Sequence, residues 1–280
     1  MTRVVAVGHV THDLFPDGSR RLGGTALYAA AAAARLGLDT ALVTRVGRRE
    51  RDELARVCAQ SGIDLRAHDA EVTTTFVFRW DEAGRRVLRL KARSRSLTRA
   101  DVPPELLPAD ALVLGTVAHE IADDLIAAPP ARISVLAAQG MLRSWDADGT
   151  VRASPWTGAE ELIRALSCIV LSEDDVAVDP GLVERWSRLV PMALTLAERG
   201  ARPYENGRPA AEVAAFRPAA VVDTTGAGDA FAAGLAVALA EGRPLAEACR
   251  FANAVASFGL EAAGTAGLAG RAAVERRLAG

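Results

Sequence analysis

The chain is 280 residues long and half hydrophobic, which suits one large α/β domain with a sizeable core. Its formal charge of −2 gives no general attraction to nucleic acid or to an anionic membrane, and the apolar stretch 26–34 falls short of the ~20 residues a bilayer needs. Three widely spaced cysteines, Cys58, Cys168 and Cys249, contain no Cys-x-x-Cys pair and fit a reduced, cytoplasmic setting better than a disulfide framework. Of 33 basic residues only Lys91 is a lysine, so a cation needed beside a phosphate is expected to be an arginine.

In chain order, residues 4–7 read as a strand and 25–36 as a helix, with Thr25 near its N-cap and Gly37 at its end. A strand over 40–46 and a helix over 50–60 follow. Residues 73–80 are strand-like, 81–84 form a turn, and 86–91 alternate polar with apolar, which makes a hairpin. Later strands are expected at 111–114, 132–136, 168–171 and 192–196, with helices between them. The end is nearly all helical, over 227–240, 245–258 and 271–278. This alternation predicts a doubly wound, mostly parallel sheet with helices on both faces. The hairpin and the polar stretch 13–21 break the rhythm and are expected to form a small sheet beside the main body.

The segment Asp223-Thr224-Thr225-Gly226-Ala227-Gly228-Asp229 leads from a short apolar run ending in Val221-Val222 directly into an Ala-rich helix. The first amides of a helix have no partners inside it, and its dipole adds positive character there, so the loop makes an anion site. Gly226 and Gly228 admit a phosphate without Cβ clashes, and the amides of Gly226, Ala227 and Gly228 are the natural donors. Asp229 is either an ordinary first-turn acid or the acceptor of a proton from an attacking hydroxyl. The spacing matches neither a Walker A loop nor a dinucleotide fingerprint.

Asp-Thr-Thr-Gly-Ala-Gly-Asp-Ala-Phe closely resembles the C-terminal motif of the ribokinase (PfkB) family of carbohydrate kinases. The resemblance continues through Gly23-Gly24-Thr25 and its Ala-rich helix to Arg35-Leu36-Gly37, and upstream to Gly8-His9-Val10-Thr11-His12-Asp13. It implies one ribokinase-like domain over 1–280, with a β lid built from about 11–22 and 72–92. It also implies ATP as phosphoryl donor, Asp229 as catalytic base and an anion hole at Gly226, Ala227 and Gly228. Asp223 is implied beside a monovalent-cation site, in many relatives potassium. Asp13 is implied to hold acceptor hydroxyls, with Gly23, Gly24 and Thr25 also on the substrate side, and the Gly23-Gly24 pair to form the hinge where the lid joins the body.

On the donor side, Leu171-Ser172-Glu173-Asp174-Asp175 resembles a motif that organises magnesium and phosphates, with Ser172 and Asp175 at its ends. An Asp can serve there through water. The same residues also read as an N-cap with acids in the first turn. Thr195 and Gly200 resemble a stretch bordering ATP, although Ala197 stands where glycine is usual. Thr225 belongs to the phosphate loop, and Asn253 is implied near the adenine. On the acceptor side Tyr28 replaces the Asn that ribokinases use for a sugar hydroxyl, which counts against ribose. Glu120, Gln139 and Arg143 resemble the substrate-side residues of a branch containing myo-inositol kinases and uncharacterised sugar kinases. The sequence thus points to ATP-dependent phosphorylation of a sugar or cyclic polyol. The alternatives are a nucleoside kinase stacking its base on Phe76, Phe78 or Trp80, and a weakly active ligand-binding regulator on the same fold. The apolar residues of the lid hairpin also suggest a homodimer.

Overall fold

The computed structural model describes residues 2–84, 86–177 and 179–280, and of Arg86 the backbone. In chain order the first half comprises β1 (Arg3–Val7), β2 (Thr11–Leu14), β3 (Arg20–Gly23), α1 (Thr25–Arg35), β4 (Asp39–Gly47), α2 (Arg48–Ser61), β5 (Asp64–Ala70), β6 (Thr74–Trp80), β7 (Arg86–Ala92), β8 (Ala109–Gly115), α3 (Asp123–Ala127) and β9 (Ala131–Ala137). The second half comprises β10 (Arg143–Trp145), β11 (Val151–Ala153), α4 (Ala159–Leu162), β12 (Cys168–Ser172), α5 (Glu173–Val176), α6 (Leu182–Ser187), β13 (Met192–Thr195), β14 (Ala201–Glu205), β15 (Arg208–Pro209), α7 (Ala227–Ala240), α8 (Leu245–Gly259) and α9 (Arg271–Ala279).

A nine-stranded sheet runs in the order β5-β4-β1-β8-β9-β12-β13-β14-β15. The pairings from β5 to β13 are parallel; β14 and β15 are antiparallel. Such a sheet must be covered on both faces, and its strands read as apolar runs because side chains alternate between two cores. In β1, Val4 and Ala6 join the core under α1, α7 and α8, while Val5 and Val7 join the core on the other face. Helices α1 and α7 owe their close packing to alanine: Ala29–Ala33 and Ala232, Ala236 and Ala238 are all buried. The described residues contain no helix long and apolar enough to cross a membrane, and the three cysteines are free and buried.

A second, four-stranded sheet has the order β3-β2-β6-β7, with β2 and β6 parallel and a bulge between Thr75 and Phe76. Asp13 lies in register with Arg21 on one side and Phe76 on the other. The chain leaves this sheet through Gly23-Gly24 into α1. The N-cap is Gly24, and Thr25 next to it is the first helical residue. Gly24 holds φ 100°, and a Cβ there would lie 2.3 Å from the carbonyl oxygen of His9, so the corner requires glycine. Val221 and Val222, which end the short apolar run before the loop, lie in an irregular segment and are 66 % and 61 % exposed.

Candidate active site

The parallel strands deliver their C-terminal ends to one edge of the sheet, where crevices of open α/β folds lie. There the start of α7 separates two cavities. Asp223 folds the loop by accepting the Thr225 amide at 2.9 Å, and Gly226 caps α7 in the left-handed region at φ 83° with no side-chain cap. The Ala227 amide leans back towards Thr224 O at 3.5 Å. The amides of Gly228 and Asp229 have no acceptor among the described residues. Gly226 is held flat beneath Tyr28: a Cβ there would lie 2.3 Å from the Tyr28 ring.

Asp229 sits in the first turn of α7. Burial pushes its carboxyl up to about 6; the Thr25 hydroxyl and the Arg143 charge pull it back in part, and Asp175 adds to the rise. An aspartate so placed is ionised near neutrality yet basic enough to take a proton. Tyr28 is pushed up to about 12, first by burial and then by the charges of Asp229, Asp223 and Asp13, so its phenol stays protonated.

The first cavity, ≈ 220 Å³, is bounded by Asp13 and Thr11 of β2, Gly24 and Thr25, Tyr28, Gln139, Arg143 and the loop through Asp229. Phe76, Phe78 and Leu88 of the four-stranded sheet close it from above. Gly23 packs behind Asp13, where a Cβ would lie 2.4 Å from Oδ2. The Arg143 guanidinium also donates to Val117 O at 3.0 Å.

Glu120, expected to face the acceptor, does not. It is fully buried, and its carboxylate accepts the amides of Val117 (2.9 Å) and Ala118 (2.7 Å), with His9 N at 3.4 Å. A carboxylate that satisfies backbone amides in this way closes the turn after β8 and stands outside the cavity.

The second cavity, ≈ 570 Å³, lies on the other side of the loop. Thr195, Ala197, Gly200, Ala227 and Gly228 line its end nearest the start of α7. Phe216, Pro218, Val221, Phe231, Ala256 and Leu260 give it an apolar wall. Ala197 takes the left-handed conformation itself, at φ 50°, so the turn survives the loss of glycine. Gly200 remains necessary: at φ 104°, its Cβ would meet Val213 O at 2.1 Å. Asn253 borders the cavity, but its amide donates to Val213 O (2.9 Å) and Ala214 O (3.1 Å). It pins the loop that carries Phe216 rather than offering that amide to a base. Arg199, in the same turn, pairs with Glu173 and Glu212.

Ser172 and Asp175 form a capping box at the start of α5: Asp175 Oδ2 accepts from Ser172 N (2.8 Å) and Oγ (2.7 Å). Ser172 is thereby committed to the helix. Asp175 still acts electrostatically on Asp229, and a lone carboxylate near phosphates suits magnesium, which keeps most of its shell as water and phosphate oxygen. No cluster of three or more metal-binding side chains occurs among the described residues. Asp223, expected beside a monovalent cation, accepts from the Arg21 guanidinium at 3.3 Å and the Gly264 amide at 3.4 Å. Burial alone would raise its carboxyl; the Thr225 and Gly264 amides and Arg21 hold it below the usual range.

Sequence reasoning missed the apolar wall of the second cavity at Phe216, Pro218 and Leu260, and Thr11, Leu88 and Val117 around the first. Residues 210–222 have almost no regular structure, so no periodicity marks them.

Residues 187–269 match the sequence model of the pfkB family carbohydrate kinases. A fructokinase of Klebsiella pneumoniae is 29 % identical over 267 residues, covering 85 % of this chain and 84 % of its own. A pyrophosphate-dependent kinase in the ribokinase family, solved with a pyrophosphate analog and myo-inositol, superimposes with a TM-score of 0.79 at 19 % identity, covering 98 % of this chain and 99 % of that one. Arabidopsis thaliana ribokinase, solved with ribose and ATP, superimposes with a TM-score of 0.76 at 22 % identity, covering 99 % and 98 %. The fold is therefore the ribokinase-like α/β fold.

Proposed function

We propose, for a chain that carries a PfkB-family carbohydrate kinase domain, that it transfers the γ-phosphoryl group of ATP to a hydroxyl of a single-ring sugar or cyclic polyol. The observation that carries this reading is the shared wall. Thr224 and Gly228 border both cavities, and Asp229 stands on the smaller side of the same loop. A hydroxyl in the small cavity and a phosphate in the large one would meet at the uncapped start of α7.

In the transfer, the acceptor oxygen forms its bond to phosphorus as the bond to the ADP oxygen breaks. The acceptor proton passes to an Asp229 oxygen. The Gly228 and Asp229 amides and the Arg143 charge face the developing negative charge. Magnesium, held through water by Asp175 and by the phosphates, would neutralise charge on the donor. The four-stranded sheet acts as a lid, excluding the water that would otherwise take the phosphoryl group. Its exposed Trp80 and edge strands β3 and β7 are where a homodimer contact would form.

The apolar wall of the larger cavity supports a nucleotide donor, since bare pyrophosphate has no surface to bury there. The smaller cavity lies below the size range of pockets for drug-sized ligands, which favours one ring over a nucleoside. Phe76 and Phe78 in that cavity keep a nucleoside as the second reading. An ADP-release assay with myo-inositol, fructose, ribose and cytidine as acceptors, repeated with pyrophosphate as donor, decides. Turnover of a sugar or polyol with ATP is the expected result. Turnover of cytidine alone supports the second reading. Turnover only with pyrophosphate overturns the donor.

A further inference from the structure

A cavity of ≈ 1050 Å³ is on the opposite side of the four-stranded sheet from the acceptor cavity. The pleat makes this so: Asp13 and Phe76 face the small cavity, while their neighbours His12 and Thr75 face this one. Its other wall belongs to the body, at the end of β4 and the start of α2.

The charge on its walls is far from the chain's average. Arg20, Arg45, Arg48, Arg49, Lys91, Arg93 and Arg95 line it, against Glu50, Asp69 and Glu71. The only lysine of the chain is among them. The carboxylates do little to balance the cations. Asp69 is engaged by Arg51, outside the cavity, and Glu50 accepts the Thr73 hydroxyl at 2.7 Å, with His12 at 3.4 Å and, of the lining cations, Arg49 at 4.0 Å. Arg45 is paired with Asp101 at 2.6 Å. Arg20, Arg48, Lys91 and Arg95 have no ion pair among the described residues. Arg93 donates to the carbonyls of Ala118, Ser94 and His119 and to Ser96 Oγ, all of them neutral. A guanidinium fixed by neutral acceptors keeps its full charge. Finally, Ser94, 3 % exposed, borders the cavity with its Oγ lacking any hydrogen-bond partner. Buried hydroxyls are ordinarily satisfied, so this one points to an absent partner.

We propose that this cavity is a second anion site, taking a small polyanion of the polyphosphate class. Concave cationic walls concentrate such ligands by their field, and arginine forks match phosphate oxygens. The cations come from both bodies: Arg20 and Lys91 from the small sheet, Arg48 and Arg95 from the main body and the segment leading back to it. A bound polyanion therefore ties the sheet to the body and changes how readily the acceptor side opens.

The test is calorimetric titration with inorganic tripolyphosphate in saturating ADP, on the wild type and on an Arg48→Ser/Arg95→Ser variant. Both arginines are exposed and unpaired, so the variant folds. The wild type binds tripolyphosphate, the variant at least tenfold more weakly, and their ADP affinities agree. Equal tripolyphosphate affinity in the two proteins, or none in the wild type, overturns the proposal. If ADP binds neither protein, the nucleotide-donor reading fails instead, and the tripolyphosphate comparison stands on its own.

Discussion

Helices α2 and α7 begin alike and face opposite electrostatics. Each follows a glycine N-cap with no side-chain cap, and each opens onto a cavity bordered by the four-stranded sheet. The first turn of α7 carries Asp229, with Asp223 just before it, so its phosphate would be held mainly by amides, with Arg143 the nearby cation. The first turn of α2 starts with Arg48 and Arg49, and more cations surround it. The difference separates holding an anion from reacting with it. A site crowded with arginines binds charge, but Glu50, its buried carboxylate, is already bonded to Thr73. On the proposed reading, the α7 site gives up some anion affinity to keep a basic carboxylate beside the phosphate, and that carboxylate would take the acceptor proton.

The sharpest way to break this contrast is Asp229→Asn. Turnover should fall ~10²–10⁴-fold with ADP affinity retained; unchanged turnover would remove chemistry from the α7 side. In the wild type kcat/KM should fall as pH drops through about 6, because the base works only when ionised. Stability moves the other way. The Asp229 carboxyl is higher in the folded chain than in the unfolded one, so its ionised form weakens the fold above that pH. The variant should melt several degrees above the wild type at pH 8, with the gap closing between about pH 6 and pH 4.

A matched pair of substitutions comes next. Gly226→Ala must hold a left-handed φ and push against the Tyr28 ring, so kcat/KM should drop about tenfold or more. Gly47→Ala keeps φ −69°, ordinary for alanine, but its Cβ would lie 3.1 Å from Thr73 N and Oγ1, so Thr73 must shift by a few tenths of an ångström. It should cost under about 1 kcal/mol in thermal or denaturant unfolding and leave turnover unchanged. Equal losses in the two variants would mean that the uncapped helix start, rather than the loop, limits the reaction.

Much of this contrast was legible in the sequence where chemistry and local geometry coincide. The run Asp223–Asp229 announces an anion-binding helix start because glycine, amides and a first-turn acid lie within seven residues. The parallel strands were legible because burial on both faces makes them apolar runs. Sheet edges were not: β5 alternates charged residues, and β14 contains Pro203, tolerated because it pairs near an edge. Glu120 was misread because its position after β8 shows a carboxylate near the crevice but not that its side chain folds back onto the amides of Val117 and Ala118. For Asn253 the sequence placed the residue beside the second cavity, which it borders, but could not show the acceptors of its amide, which lie about 40 residues away in an irregular loop. The cationic cavity drew no attention because its residues are spread from Arg20 to Arg95 and only the fold collects them.

The smallest expected effect tests whether the α2 arginines are there for the helix or for a ligand. Arginine in a first helical turn opposes the macrodipole, whereas an acid there is favourable by about 0.3–1 kcal/mol. Arg48 has no ion partner among the described residues to offset that cost. Arg48→Glu should therefore raise thermal stability slightly, by about one to three degrees, because it also relieves repulsion from Arg20, Arg45 and Arg95. The same variant should lose tripolyphosphate binding. A gain in stability with a loss of the anion would identify Arg48 as a residue kept at the expense of its own helix. A loss of stability would mean that Arg48 supports α2 through contacts of its own, and the two helix starts would then differ in structure as well as in charge.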